Sequence, residues 1–188
     1  MMWFTEVIDH RRNMSKRDHI LAVAESLFNQ FGYTAVGVDK IRDEAAVSKT
    51  SMYRHFGAKS ALIEAVLQAR HTRFEQGLQQ AIDAHQDKDA QLAALLDWHL
   101  AWFKQDDFKG CMFMHAIGEF KSSTDSQIVE IAKAHKDKIY GLIEQVVGSK
   151  ATADAVMTLL EGLIVRAEFD VLPDRELCLA MLRSLIRP

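Results

Sequence analysis

Val38–Phe56 reads VDKIRDEAAVSKTSMYRHF, and how this stretch divides decides the fold. Val38, Ile41 and Ala45 recur at helical spacing, so its first half predicts a short amphipathic helix with a polar outer face. Ala46-Val47 interrupts the pattern. Ser48 follows as a good N-cap, because its hydroxyl can accept from an orphan N–H of a new helix. The second helix, Lys49–His55, crowds donors together: Lys49, Thr50, Ser51, Tyr53, Arg54 and His55, with only Met52 and Phe56 suited to a core. Two short helices around a tight turn, the second rich in donors, form the layout of a helix-turn-helix whose second helix lies in a major groove.

Neighbouring blocks extend the pattern. Phe31-Gly32-Tyr33-Thr34, Val38-Asp39-Lys40-Ile41, Ala45-Ala46-Val47-Ser48-Lys49, Met52-Tyr53-Arg54-His55-Phe56 and Lys59-Ser60-Ala61-Leu62 stand in order and at characteristic separations. Over about Arg17–Val66 the chain resembles the N-terminal domain of TetR-family (tetracycline-repressor-like) transcriptional regulators. Two positions depart from that pattern. Gly37 stands where many members place Ser or Thr at the start of the second helix, which removes a side-chain cap and a possible phosphate contact. Ala46 stands where the turn usually has Gly, so a positive φ there would carry strain.

The resemblance implies base readout mostly by Lys49–Ser51 and phosphate contact by Tyr53, His55 and Lys59. The chemistry agrees: Lys donates to guanine acceptors, short hydroxyls reach base edges, and phenol and imidazole groups reach phosphate oxygens. The candidate DNA contacts are Gly37, Val38, Ser48, Lys49, Thr50, Ser51, Tyr53, Arg54, His55 and Lys59.

Composition sets outer bounds. The 188 residues are 48% hydrophobic and 26% charged, an ordinary globular balance. Only Pro173 and Pro188 are prolines, so long helices meet few breakers. The net charge of −3 divides unevenly: residues 1–60 hold nine Lys/Arg and seven Asp/Glu, and the remainder fourteen and nineteen. This modest asymmetry fits a DNA-reading head on an acidic body. No run approaches the ~18 apolar residues of a membrane span, and MMWFTEVIDHRR lacks the form of a secretory signal. Cys111 and Cys178 are too few and too far apart for a disulfide framework or zinc knuckle. A cytoplasmic setting is the expectation.

Periodicity predicts helices throughout. Lys16–Phe31 carries Ile20, Ala24, Leu27, Phe28 and Phe31 on one stripe, with Gly32 as its stop. Ahead of it and at its start, Arg11, Arg12, Lys16 and Arg17 could supply phosphate contacts as a basic arm. Gly57 closes the recognition helix. Lys59–His85 is one long helix whose start belongs to the head. Helices are further expected over Ala90–Lys104, Cys111–Phe120, Ser126–Val147 and Ala153–Val171, with a final one capped by Asp174 after Pro173. No stretch alternates as a strand should. The expected fold is all-α: an arm and three-helix helix-turn-helix domain over residues 1–62, then a helical ligand-binding and dimerisation domain over 63–188.

The body concentrates aromatics and methionines, which suits either an ordinary core or a cavity for an apolar or aromatic effector. Candidate ligand contacts are Trp98, Trp102, Phe103, Cys111, Phe113, Met114, His135, Arg166 and Phe169. Cys111 is flanked by apolar Met112, Phe113 and Met114, which favours a structural thiol over a reactive one. His99, His115 and His135 show no metal-ligand spacing, so no metal or cofactor is expected. The charges Glu119, Glu161, Arg166 and Glu168 interrupt apolar helices.

The reading is a ligand-responsive regulator, a repressor of a near-palindromic operator in double-stranded DNA. The resemblance implies a homodimer whose interface is the last two helices; here that maps to Met157, Leu160, Leu163, Ile164, Met181, Leu182 and Leu185. A protein-interaction regulator of the same fold is the alternative. An enzyme has little to rest on, because no HExxH, GxSxG or phosphate loop occurs.

Overall fold

The structure, a computed structural model, describes residues 14–122 and 126–186. Among these residues nine helices and no strand occur, and the fold is all-α. The helices are α1 (Lys16–Phe31), α2 (Val38–Glu44), α3 (Lys49–Phe56), α4 (Lys59–Asp83), α5 (Lys88–Phe103), α6 (Met112–Phe120), α7 (Ser126–Val147), α8 (Lys150–Glu168) and α9 (Arg175–Ile186). Two compact units divide between Val66 and Leu67, within α4.

In the first unit, Ser15 caps α1 by accepting from the Asp18 N–H, and Gly32 at φ 81° stops it. Ile20, Ala24, Leu27 and Phe28 of α1 are buried together with Tyr33, Val36, Ile41, Ala45 and Met52. The Phe28 and Tyr33 rings meet at 5.3 Å. Phe31 departs from the expected stripe: it is 45% exposed, and the Lys40 ammonium sits 3.5 Å from its ring centre. The last turn of α1 has rotated it off the core, and a cation–π contact takes the place of burial. Arg17 lies over the Phe56 ring at 5.1 Å. Arg11 and Arg12 lie outside the described residues.

In the second unit the core is built by Leu92, Leu95 and Leu96 of α5, Ile139 and Ile143 of α7, Val156, Leu160 and Leu163 of α8, and Leu179 and Leu182 of α9. Truncating any of these fully buried leucines to Ala would cost about 2–5 kcal/mol. Asp87 caps α5 through the Ala90 N–H at 2.9 Å, and Asp174 caps α9 through the Leu177 N–H at 2.9 Å. Arg175 forks onto Asp97 at 2.5 and 2.8 Å, tying α9 to α5. Arg183 makes a second such fork with Asp89. The buried Cys178 thiol donates to the Pro173 carbonyl at 3.6 Å.

Candidate functional site

The turn between α2 and α3 is held from several sides. Ala46 takes φ 51°, the left-handed conformation expected at its position. Val47 N–H then reaches back to the Arg42 carbonyl at 3.1 Å. His19 Nε2–H of α1 donates to the Ala45 carbonyl at 3.1 Å, so a helix-end carbonyl gains a partner. Ser48 opens α3 by accepting from the Ser51 N–H at 3.1 Å. Gly37 caps α2 without a side-chain hydrogen bond, and Val38 behind it is half-buried.

This frame sorts the residues of α3. Lys49, Thr50, Tyr53 and Arg54 are exposed and share one face at helical spacing. Lys49 Nζ stands 3.4 Å from Asp39 Oδ1, an exposed pair that a phosphate could readily replace. Arg54 pairs with none of the described residues. Lys59 is half-buried and donates to the Thr34 carbonyl at 3.4 Å.

Two expected contacts are corrected. Ser51 is 5% exposed, and its enclosed Oγ has no hydrogen-bond partner. It lies beside the buried Met52 on the inward face of α3. His55, four residues on, follows it: Nε2 is enclosed, so that nitrogen does not face a phosphate.

In the body, a narrow crevice is lined by Phe74 of α4, His99 and Trp102 of α5, Cys111, His135, Lys136 and Ile139 of the α6–α7 region, and Met157, Leu160, Glu161 and Ile164 of α8. Its free volume is about 10 Å³, roughly the room for one water. His135 stacks on Phe113 at 3.6 Å and 8°. Its Nδ1 shares a hydrogen bond of 3.0 Å with Nδ1 of His71. His99 is 2% exposed, and its Nδ1–H donates to the Leu95 carbonyl at 2.8 Å. Burial pushes His99 down to about 4, with the Lys136 charge adding to it and the Leu95 bond opposing. Burial likewise takes His135 down to about 2, helped by Lys136, His71 and Arg70. Both rings are therefore neutral at pH 7. Burial pulls the Lys136 ammonium down, but Cys111 and Glu161 outweigh it and leave its pKa raised. Lys136 donates to Glu161 Oε1 at 2.6 Å.

Of the expected ligand contacts, Trp102, Cys111 and His135 line this crevice, and Phe113 backs it through the His135 stack. Trp98 packs edge-on to Phe74 at 4.3 Å, and Phe103 lies 6.2 Å from His99. Three others lie elsewhere. Met114 is 39% and Phe169 74% exposed, and Arg166 is exposed, donating to the Val171 carbonyl at 2.8 Å. Arg166 lies in the last turn of α8, and Phe169 caps its C-terminus. Cys111 is buried, and the Lys136 ammonium is close enough for the two to interact electrostatically.

Of the expected interface residues, Leu185 is exposed and Met181 half-buried, while the others turn inward. Leu160, Leu163, Ile164 and Leu182 are at most 3% exposed, covered by their own subunit. Met157 faces the crevice with Leu160 and Ile164. Reading the most apolar face of α8 and α9 as intermolecular confused it with the core-facing one. The outward residues are Thr158, Gly162, Val165 and Phe169 of the α8 stripe, with Leu177, Ala180 and Leu185 of α9. A Cβ added at Gly162 would meet nothing of its own chain within 4 Å.

The sequence reading did not place Phe74, Lys136 or Ile139 in the site, whereas Glu161, singled out there as a charge interrupting an apolar helix, does line it. Lys136 is the one with a legible signal, a lysine adjoining His135 on an otherwise apolar helix face. Among the described residues no group of three or more His, Cys, Asp or Glu side chains could hold a metal. No described helix is long and apolar enough to cross a membrane.

The fold and the outward face of α3 define a helix-turn-helix protein with an all-helical body. Residues 20–66 match the model of the tetR family of bacterial regulatory proteins. The chain is 28% identical over 136 residues to the HTH-type transcriptional activator FasR of Mycolicibacterium smegmatis, covering 72% of this chain and 62% of FasR. It is 32% identical over 68 residues to the HTH-type transcriptional repressor NemR of Escherichia coli, covering 36% of this chain and 34% of NemR. The alignments thus span less than two thirds of either relative. The fold is shared with the TetR-family regulator SCO4454 of Streptomyces coelicolor, at a TM-score of 0.82 and 22% identity over 92% of this chain and 94% of that one.

Proposed function

We propose that this protein is a DNA-binding transcriptional regulator that reads a near-palindromic operator as a homodimer and is released by a small effector taken into the body. The observation that carries it is the face of α3: Lys49, Thr50, Tyr53 and Arg54 project outward while Met52 and Ser51 anchor the helix to the head. One such helix reads too few bases for useful specificity, so two copies related by a two-fold axis are needed, with heads about 34–36 Å apart. The outer faces of α8 and α9, with Val165, Phe169, Leu177 and Leu185 exposed, supply apolar surface for that pairing. Effector control follows if the ligand binds a conformation whose head spacing no longer matches two successive grooves, since only differential affinity can shift the equilibrium.

The test is selection of bound sequences from a random duplex pool at stated salt, beside a Lys49→Ala, Arg54→Ala double variant. Wild type should enrich a two-fold symmetric site that the variant loses. Absence of enrichment by wild type at moderate salt would remove the DNA-reading role. Each single substitution should weaken binding by about 1–3 kcal/mol, and loss of a phosphate contact should lower the salt slope by about one.

A further inference from the structure

The crevice has an unused hydrogen-bonding atom. His99 spends its Nδ1–H on the Leu95 carbonyl, which leaves Nε2 as the lone-pair nitrogen of a neutral ring. Among the described residues Nε2 has no hydrogen-bond partner, and it is not among the enclosed unpaired atoms. The ring is otherwise boxed by aromatics, with Phe74 at 5.9 Å, Trp98 at 5.4 Å and Trp102 at 6.3 Å. A ring that is 2% exposed and lines the crevice can show that nitrogen only to the crevice.

The charges beside it are already balanced. Lys136 and Glu161 pair at 2.6 Å, so an anionic ligand would meet the Glu161 carboxylate and a cationic one the Lys136 ammonium. Neither charge is free to repay the desolvation of a charged ligand.

We propose that the crevice takes an uncharged aromatic ligand bearing a hydroxyl, such as a phenol, whose O–H donates to His99 Nε2. This rests on the body crevice being the effector site and adds the ligand's chemical class. The free volume of about 10 Å³ accommodates the hydroxyl in the place of one water. The ring is seated as the walls part, which Met157, flexible about three bonds, allows. Selectivity has a clear origin: an aromatic ether or hydrocarbon of the same shape would cover Nε2 without donating to it, stranding a buried acceptor.

The experiment titrates phenol, anisole, toluene and benzoate, and the corresponding naphthalene series, into the full chain at pH 7.5. Tryptophan fluorescence and calorimetry report binding, and operator release is followed in parallel. The hydroxyl compound should bind at least about tenfold tighter than its methyl ether or carboxylate. That preference should collapse to within about threefold in His99→Phe and survive partly in His99→Gln, whose amide oxygen can still accept. Equal binding of the ether, tighter binding of the carboxylate, or a preference unchanged in His99→Phe would each overturn the proposal. Binding of no probe would overturn the crevice as a ligand site along with it. His99-dependent binding of the hydroxyl compound without operator release would uphold the ligand class and overturn the effector role.

Discussion

Acidification from pH 7.5 to pH 5 should destabilise the body by an amount traceable to single histidines. The His99 ring titrates at about 4 in the folded chain against 6.5 in the unfolded one. As pH falls through 6.5 the unfolded ring takes up a proton while the folded ring stays neutral, so acid favours unfolding. The stabilisation is complete above 6.5 and is lost progressively toward 4. Integrated to pH 5, His99 alone accounts for about 2 kcal/mol. His135, held near 2, accounts for about the same ~2 kcal/mol, because at pH 5 the effect depends on protonation of the unfolded ring rather than on how low the folded value lies. Together they rival a large fraction of the 5–15 kcal/mol typical of a domain.

Urea denaturation followed by fluorescence of Trp98 and Trp102, at fixed protein concentration, measures this directly. His99→Gln and His135→Gln carry neutral side chains at every pH. Each should cost stability at pH 7.5, yet each should flatten the loss between pH 7.5 and pH 5 by about 2 kcal/mol relative to wild type. Carboxylates titrating in the same window cancel in the comparison. Parallel pH profiles for wild type and both variants would refute the reasoning, since they would mean that the folded rings protonate as readily as free histidine.

Three further outcomes follow from local geometry. Ala46→Gly should raise stability by about 0.5–1 kcal/mol in denaturant melts, because the residue sits at φ 51° and a left-handed alanine costs about 1–2 kcal/mol before glycine's own entropy is subtracted. Ser51→Ala should leave operator affinity within about twofold and stability unchanged or improved by up to ~1 kcal/mol, since the enclosed hydroxyl has no partner to lose; a large affinity loss in a binding titration would return Ser51 to the interface. Val165→Glu or Phe169→Glu should yield folded monomers on sizing chromatography, the side chains being 38% and 74% exposed. Leu163→Glu and Leu182→Glu should instead unfold the body by burying an unpaired charge, visible as lost helical circular dichroism.

The sequence displays the head more fully than the body for a physical reason. In α2 and α3 each special residue acts on its own neighbourhood: Ser48 caps the helix it precedes, Gly32 and Gly57 take the positive φ that ends one, and Ala46 adopts the strained turn its position demands. Local rules of capping and sterics reach such positions. The same rules give helix periodicity in α8 but not its orientation, because an apolar stripe is equally consistent with a core and with an interface. Leu163 and Val165 differ by about 200° of helix rotation and by the contrast between 1% and 38% exposure, and only tertiary packing decides between them.

The crevice lies furthest from what one sequence can show. Lys136 and Glu161 are 25 residues apart, and each alone reads as a solvated charge on an amphipathic helix. Brought together beside Cys111, they cancel. That cancellation converts an aromatic pocket that could have held a carboxylate or an amine into one whose remaining polar demand is a single donor for His99 Nε2. Ligand class here therefore depends less on which polar residues line the crevice than on which of their hydrogen bonds the fold has already used.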